Sequence, residues 1–244
     1  MIFRTFTVRC LFAILAALAL PTLASAQKSG YVWADNPASA SYTPSTMYSF
    51  NSSGGAINVT RSGVGAYAVR FGGIGGSGAA GGNVLVTAYG GGSETCKVVN
   101  WNSGGADFIV NVRCFTAVGS PADTRYTARV ALHNAAASGK NGYAWADNPA
   151  SAAYTPSAIY SFNSSGGAIA INRSGVGTYA VKFSGLGGGP SAGGNVQVTA
   201  YGGGSETCKV VSWGSGGPDF VANVRCFTSS GGLVDTRYSI NVLW

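Results

Sequence analysis

Carboxylates are scarce in this 244-residue chain, and they come in two sets of four: Asp35, Glu94, Asp107 and Asp123, then Asp147, Glu206, Asp219 and Asp235. A glycosidase needs two carboxyl groups about 5 to 10 Å apart, and Glu94 with Asp107 is the pairing that the spacing leaves open. Both sit in or beside turns, where acidic side chains are ordinary, so a carboxylate-dependent glycoside hydrolase is the weakest of three readings. The single histidine, His133, has no counterpart in the other set. A repeated Ser-His-Asp or Cys-His arrangement is therefore out of reach. There is no G-x-S-x-G, H-E-x-x-H or phosphate-loop motif. The glycine-rich stretch 75–82 lacks the following Lys-Ser/Thr and helix, and reads as a flexible inter-strand loop. Asp35, Asn36 and Pro37 carry oxygens that could meet calcium, but an Asx-turn leading into proline explains them without an ion. The expectation is a chain with no catalytic residues, no metal and no cofactor.

Binding chemistry is better represented. Aromatic residues recur in pairs, among them Trp33 and Trp145, Tyr48 and Tyr160, Tyr89 and Tyr201, Trp101 and Trp213. Tyr89 is out of step with the apolar row Val84, Val86, Ala88, which points its ring to the surface. The segment Gly-Gly-Gly-Ser-Glu-Thr-Cys that follows is identical at both places. The candidate recognition surface is therefore Tyr89, Glu94 and Trp101, with Tyr201, Glu206 and Trp213 as its twin, for an extracellular protein or a glycan. The plainer alternative for any one of these rings is packing in a core.

These pairs reflect a duplication. Residues 30–132 recur at 142–244 with a constant offset of 112, and 73 of the 103 aligned pairs are identical. Each copy is long enough to be a complete domain, and 133–141 is the linker between them. Residues 1–26 have the form of a secretory signal. Arg4 and Arg9 precede a ten-residue apolar run at 11–20, Pro21 breaks it, and Ala24-Ser25-Ala26 precedes cleavage at Gln27. The run is too short to span a bilayer, and no other segment could. Cys10 leaves with it. Four cysteines then remain, two per copy, and duplication favours pairing within copies, Cys96 with Cys114 and Cys208 with Cys226. Two Cys and no His per copy cannot close a zinc site. The destination is the periplasm, the cell surface or the medium. The net charge of +7 comes from basic residues scattered singly, unlike the patch of a nucleic-acid-binding protein.

The hydrophobic period is two nearly everywhere. Strands are expected near 31–34, 47–51, 56–61, 66–71, 83–89, 95–101, 108–115 and 124–131, and again 112 residues later. Glycine- and asparagine-rich turns separate them. Phe108, Val110, Val112 and Cys114 should face inward, as should Tyr126, Ala128 and Val130. Leu85 becomes Gln197 in the second copy, so that position should face water. Asp123 and Arg125 should pair at a sheet end. The fold class is all-β: two tandem antiparallel β-sandwich or jelly-roll domains, one disulfide in each.

Arg61, Gly63, Gly65, Tyr67, Val69 and Phe71 spell R-x-G-x-G-x-Y-x-V-x-F, repeated from Arg173 to Phe183, and Gly119, Pro121 and Asp123 form a later G-x-P-x-D. The series resembles a group of exported bacterial proteins built from such modules. It is more distantly similar to the C1q-like jelly-roll modules of phage tail fibres and bacterial surface proteins. The resemblance implies a jelly roll with a binding or structural role and supplies no catalytic residue. The second copy lacks the Pro121 equivalent, so its loop should differ in shape. The expected function is a secreted, non-enzymatic binding or surface-structural protein, with a lectin-like carbohydrate-binding protein as the alternative.

Overall fold

Alternating β-branched and polar residues, cut by glycine turns, give strands and almost no helix. The computed structural model describes residues 28–132 and 139–243. The expected signal segment 1–26, His133 and most of the expected linker, and Trp244 lie outside them. The first copy contains β1 (Lys28–Ala34), β2 (Ser41–Tyr42), β3 (Ser49–Asn51), β4 (Ile57–Gly63), β5 (Ala66–Phe71), β6 (Asn83–Tyr89), β7 (Thr95–Asn102), β8 (Phe108–Phe115) and β9 (Arg125–Leu132). The second contains β10 (Asn141–Ala146), β11 (Ala153–Tyr154), β12 (Ser161–Asn163), β13 (Ile169–Gly175), β14 (Thr178–Phe183), β15 (Asn195–Ala200), β16 (Thr207–Gly214), β17 (Phe220–Phe227) and β18 (Tyr238–Leu243). Where one strand was expected at 47–51, a 3-10 turn, Thr46–Tyr48, precedes the short β3.

Each copy is a sandwich of a four-stranded sheet, β3-β1-β9-β6 or β12-β10-β18-β15, and a five-stranded one, β2-β4-β5-β8-β7 or β11-β13-β14-β17-β16. All these pairings are antiparallel. The inward rows are those of the alternation: Phe108, Val110, Val112 and Cys114 from β8 meet Tyr126, Ala128 and Val130 from β9 in one buried cluster with Val59, Val69 and Phe71. Gly30 lies where β1 crosses Phe71; a Cβ there would fall 2.7 Å from the ring. Burying such rows at about 25 cal/mol per Å² of apolar area is the main force holding the sheets together.

The disulfides Cys96–Cys114 and Cys208–Cys226, one per copy, join residues directly opposite each other on β7–β8 and β16–β17. The glycine-rich loop is not loose: Gly75 N–H donates to Ala106 O at 2.8 Å and Ser77 N–H to Gly105 O at 3.0 Å, zipping it to the β7–β8 hairpin tip. The loop lacking the Pro121 equivalent keeps its shape. Thr228 N–H donates to Gly232 O as Thr116 N–H does to Ser120 O, both at 2.8 Å, and Leu233 bridges Phe227 as Pro121 bridges Phe115.

The two copies pack edge on face. In the first copy β6 ends one sheet and β7 the other, so that side of the sandwich is a double edge. It lies against the outer face of β15 and β18. This corrects the sequence reading of Leu85. It is only 7% exposed, because the second copy covers it, whereas Gln197 is exposed. A comparison of twin positions had no means of registering contact between the twins themselves.

Candidate functional site: an aromatic cleft filled in one copy and open in the other

The R-x-G-x-G-x-Y motif turns out to be a structural knot. Arg61 donates from Nε and Nη2 to the Asp123 carboxylate, at 3.0 and 2.7 Å for the shorter contacts, and Gly65 N–H and the Tyr67 hydroxyl each donate to Asp123 Oδ1 at 2.8 Å. Asp235 collects the same donors from Arg173, Gly177 and Tyr179. Gly65 has φ +63°, and a Cβ there would collide with the carbonyl oxygen of Cys114. Asp123 thus pairs with Arg61 rather than Arg125, and the Arg125 guanidinium lies over the Tyr89 ring at 5.2 Å. Hydrogen bonds from Arg173 hold the Asp235 carboxyl down to about 2 against the burial that opposes them, and Asp123 is held lower still. The partner tyrosines Tyr67 and Tyr179 are pushed well above the usual phenol value by burial and by the same carboxylates. A carboxylate so fully engaged is a tie, not an acid or base for substrate.

Glu94 and Asp107 lie at opposite ends of β7, about 25 Å apart along the strand. The Asp107 carboxylate is taken by Arg70 Nε and Gly73 N–H, at 2.6 and 2.9 Å. Asn36 opens a turn, its carbonyl accepting Ser39 N–H and its own N–H meeting the Tyr42 hydroxyl. Among the described residues no three His, Cys, Asp or Glu gather as metal ligands would.

The aromatic residues sort into two features. On the outer face of the first copy, Trp33 from β1 meets Tyr48 from the 3-10 turn edge-on at 5.3 Å and Tyr89 from β6 at 5.2 Å. These rings line an open cleft of about 590 Å³ whose floor includes Thr87, Thr127 and Arg129. In the second copy Trp145 meets Tyr160 at 5.4 Å and Tyr201 at 5.1 Å, with Arg237 over Tyr201 as Arg125 is over Tyr89. There the cleft is filled. Trp101 of the first copy enters it, 5.5 Å from Tyr201, 5.6 Å from Tyr160 and 6.1 Å from Trp145.

The second feature is the mounting of Trp101. A β-bulge between Val98 and Asn100 resets the register of β7, placing Trp101 opposite Val110 and so on the row of Cys96 and Val98. Its indole N–H donates to Gly81 O at 3.2 Å, and Ser103 Oγ donates to the same oxygen at 2.7 Å. Around it the copies exchange polar contacts. Lys97 Nζ reaches Glu206 Oε2 at 2.8 Å, Gly202 N–H donates to Val98 O at 2.9 Å, Asn83 Nδ2 donates to Ser239 Oγ at 2.8 Å, and Thr199 Oγ1 donates to Val86 O at 3.1 Å. The Lys97 ammonium is almost wholly buried, and that burial lowers its pKa although Glu206 opposes the shift. Burial works to raise the Glu206 carboxyl, but Lys97 and a backbone hydrogen bond outweigh it and the net shift is downward.

The six residues expected to form a surface and its twin are therefore distributed over three places. Tyr89 and Glu94 flank the 90–93 turn, with Tyr89 48% exposed in the open cleft. Trp101 sits at the far end of β6, about 20 Å from Tyr89 along that strand, and joins Tyr201 and Glu206 in the contact between copies. Trp213 lies on the outer edge of the second copy, 45% exposed. Sequence reasoning did not assign Trp33, Tyr48, Trp145 and Tyr160 to the site, although their exact recurrence was visible.

No protein-family model matches the chain, and no curated protein or solved structure matches it. Fold and site together define a disulfide-stapled tandem β-sandwich with a preformed aromatic cleft on each copy. Among the described residues no helix is long and apolar enough to cross a membrane.

Proposed function

We propose that this chain is an exported, non-enzymatic binding or surface-structural protein, and that it recognises its partner through the open cleft of Trp33, Tyr48 and Tyr89. The observation that carries this reading is the state of the twin cleft, which already holds a tryptophan against the same three rings at 5.5 to 6.1 Å. A surface that accepts an aromatic side chain in one copy is fit to accept one in the other. The leader-like segment and the paired cysteines support export, since disulfides persist in oxidising compartments. The resemblance to C1q-like modules supports a binding role.

Recognition of a glycan is the second reading. What favours it is the exposure of several rings on one face: Tyr31 and Phe50, both about half exposed, stack at 5.8 Å beside the cleft, and flat exposed rings offer apolar faces to sugars. The test is a glycan array and a panel of cell-surface proteins probed with the wild-type chain and with Tyr48→Ala/Tyr89→Ala. An anchor of this kind is worth about 2 kcal/mol, so the folded double variant should bind about thirty-fold less tightly. Undiminished binding by that variant would remove the cleft from consideration.

A further inference from the structure

We infer that the partner of the open cleft is a second copy of this chain, whose Trp213 edge enters the Trp33–Tyr48–Tyr89 cleft as Trp101 enters Trp145–Tyr160–Tyr201 within one chain. This rests on the reading of the cleft as a binding surface and names its occupant.

Residues of nearly the same sequence are buried on one copy and exposed on the other, in complementary sets. Tyr143 is 3% exposed and its twin Tyr31 48%; Thr199 is buried and Thr87 exposed. These belong to the receiving face, covered in the second copy and bare in the first. The inserting edge shows the reverse. Lys97 and Asn83 are both 3% exposed while Lys209 and Asn195 are exposed. Each chain thus contains one satisfied contact, one unused receiving face and one unused inserting edge.

Both unused halves are already in their working shape. Trp213 Nε1 donates to Gly193 O at 3.2 Å and Ser215 Oγ donates to the same oxygen at 2.8 Å, the mounting seen for Trp101. The open cleft matches the filled one in its ring separations, 5.3 and 5.2 Å against 5.4 and 5.1 Å. Both halves hold these shapes within the single chain, with Gln197 of the second copy on the rim of the open cleft, and such preorganisation keeps the entropic cost of association low.

The polar contacts transfer as well. Lys209 of one chain meets Glu94 of the next as Lys97 meets Glu206. Gly90 N–H reaches Val210 O as Gly202 N–H reaches Val98 O, and Asn195 reaches the Thr127 hydroxyl as Asn83 reaches that of Ser239. Among the described residues no strand pairs beyond β15 or β16, and such a double edge is a template for pairing. The departures, Gln197 for Leu85 and Arg129 for Asn241, make the contact between chains more polar than the one within a chain, and hence weaker and reversible. Because edge and cleft lie on different copies, the association is heterologous. Every added chain leaves one of each free, so growth continues into a ring or a filament.

The experiment is sedimentation velocity on the disulfide-bonded chain from residue 27, from about 1 to 500 µM. Its mass should rise with concentration through multiples of the chain. Trp213→Ala and Tyr89→Ala should each remain monomeric alone. Mixed in equal amounts they should form a one-to-one complex and stop, because one retains the cleft and the other the edge. Lys209→Glu should weaken self-association at least ten-fold and Glu94→Lys should restore it; both lie outside the packed cores, so folding is preserved. A wild-type chain monomeric throughout this range overturns the inference, as does oligomerisation that survives in both single variants. If the monomer still binds a glycan or another protein through Tyr48 and Tyr89, the cleft remains a binding surface with a different partner. If it binds nothing, both readings fall.

Discussion

Asp123 and Asp235 are the residues on which the most local geometry depends. Each neutralises an arginine, caps a glycine N–H in a left-handed turn and accepts a buried phenol, so Asp123→Ala should cost about 2 kcal/mol by leaving those donors without a partner. Urea titration of the single variant measures it. Gly65→Ala should be at least as damaging, since alanine resists a φ of +63° by about 1 to 2 kcal/mol before the collision with Cys114 O is counted. The knot also fixes the acid limb of stability. Both carboxyls have folded pKa values below their unfolded ones, so their contribution is complete above about pH 4. It is lost as the pH falls through the folded value, which is about 2 for Asp235. Urea midpoints between pH 2 and 7 should fall steeply below pH 4 in the wild type and be flatter in Asp235→Asn. The R-x-G-x-G-x-Y pattern was legible in the sequence, but its centre was not. Asp123 lies 62 residues from Arg61, and Arg125, two residues from Asp123, was the nearer arginine to pair with it.

At the scale of elements, period two placed the main strands within a few residues, because in a two-layer sandwich one face of each strand must be apolar. The cysteine pairing was legible from the duplication, because two near-identical copies with two cysteines each favour a bridge within each copy. The bulge at Val99 was not legible, since an extra residue in β7 changes the side-chain row without changing composition. It matters, because it puts Trp101 and Trp213 at the open end of the inward row. The β7–β8 hairpin carries both the disulfide and the inserting edge. Replacing Cys96 and Cys114 by serine should cost about 3 kcal/mol on the loop-entropy model, measured by guanidinium unfolding. The same variant should expose Trp101 to quenching by iodide at lower denaturant than the wild type, because the edge that presents it is no longer stapled.

For the whole molecule, the duplication has an asymmetric outcome that no comparison of the two copies could reveal. Leu85 and Gln197 were read as one water-facing position, yet one is covered by the neighbouring copy and the other is not. Seventy-three identities specify two nearly identical folds, but only their relative placement decides which twin is buried. Twin substitutions measure that asymmetry directly. Glu206→Gln removes the counter-charge of Lys97, whose side chain is 4% exposed, and an ammonium left buried without its carboxylate costs about 2 kcal/mol. Glu94→Gln makes the same chemical change at the corresponding place, where among the described residues no ion pair engages the carboxylate while Lys97 is held by Glu206, and should alter stability by less than about 0.5 kcal/mol. The measurement is thermal unfolding of both variants in the disulfide-bonded full chain, at about 1 µM so that contacts between chains do not contribute. A Tm lowered in Glu206→Gln and unchanged in Glu94→Gln is the expected result. Equal effects would mean that the copies do not dock through Lys97 in solution.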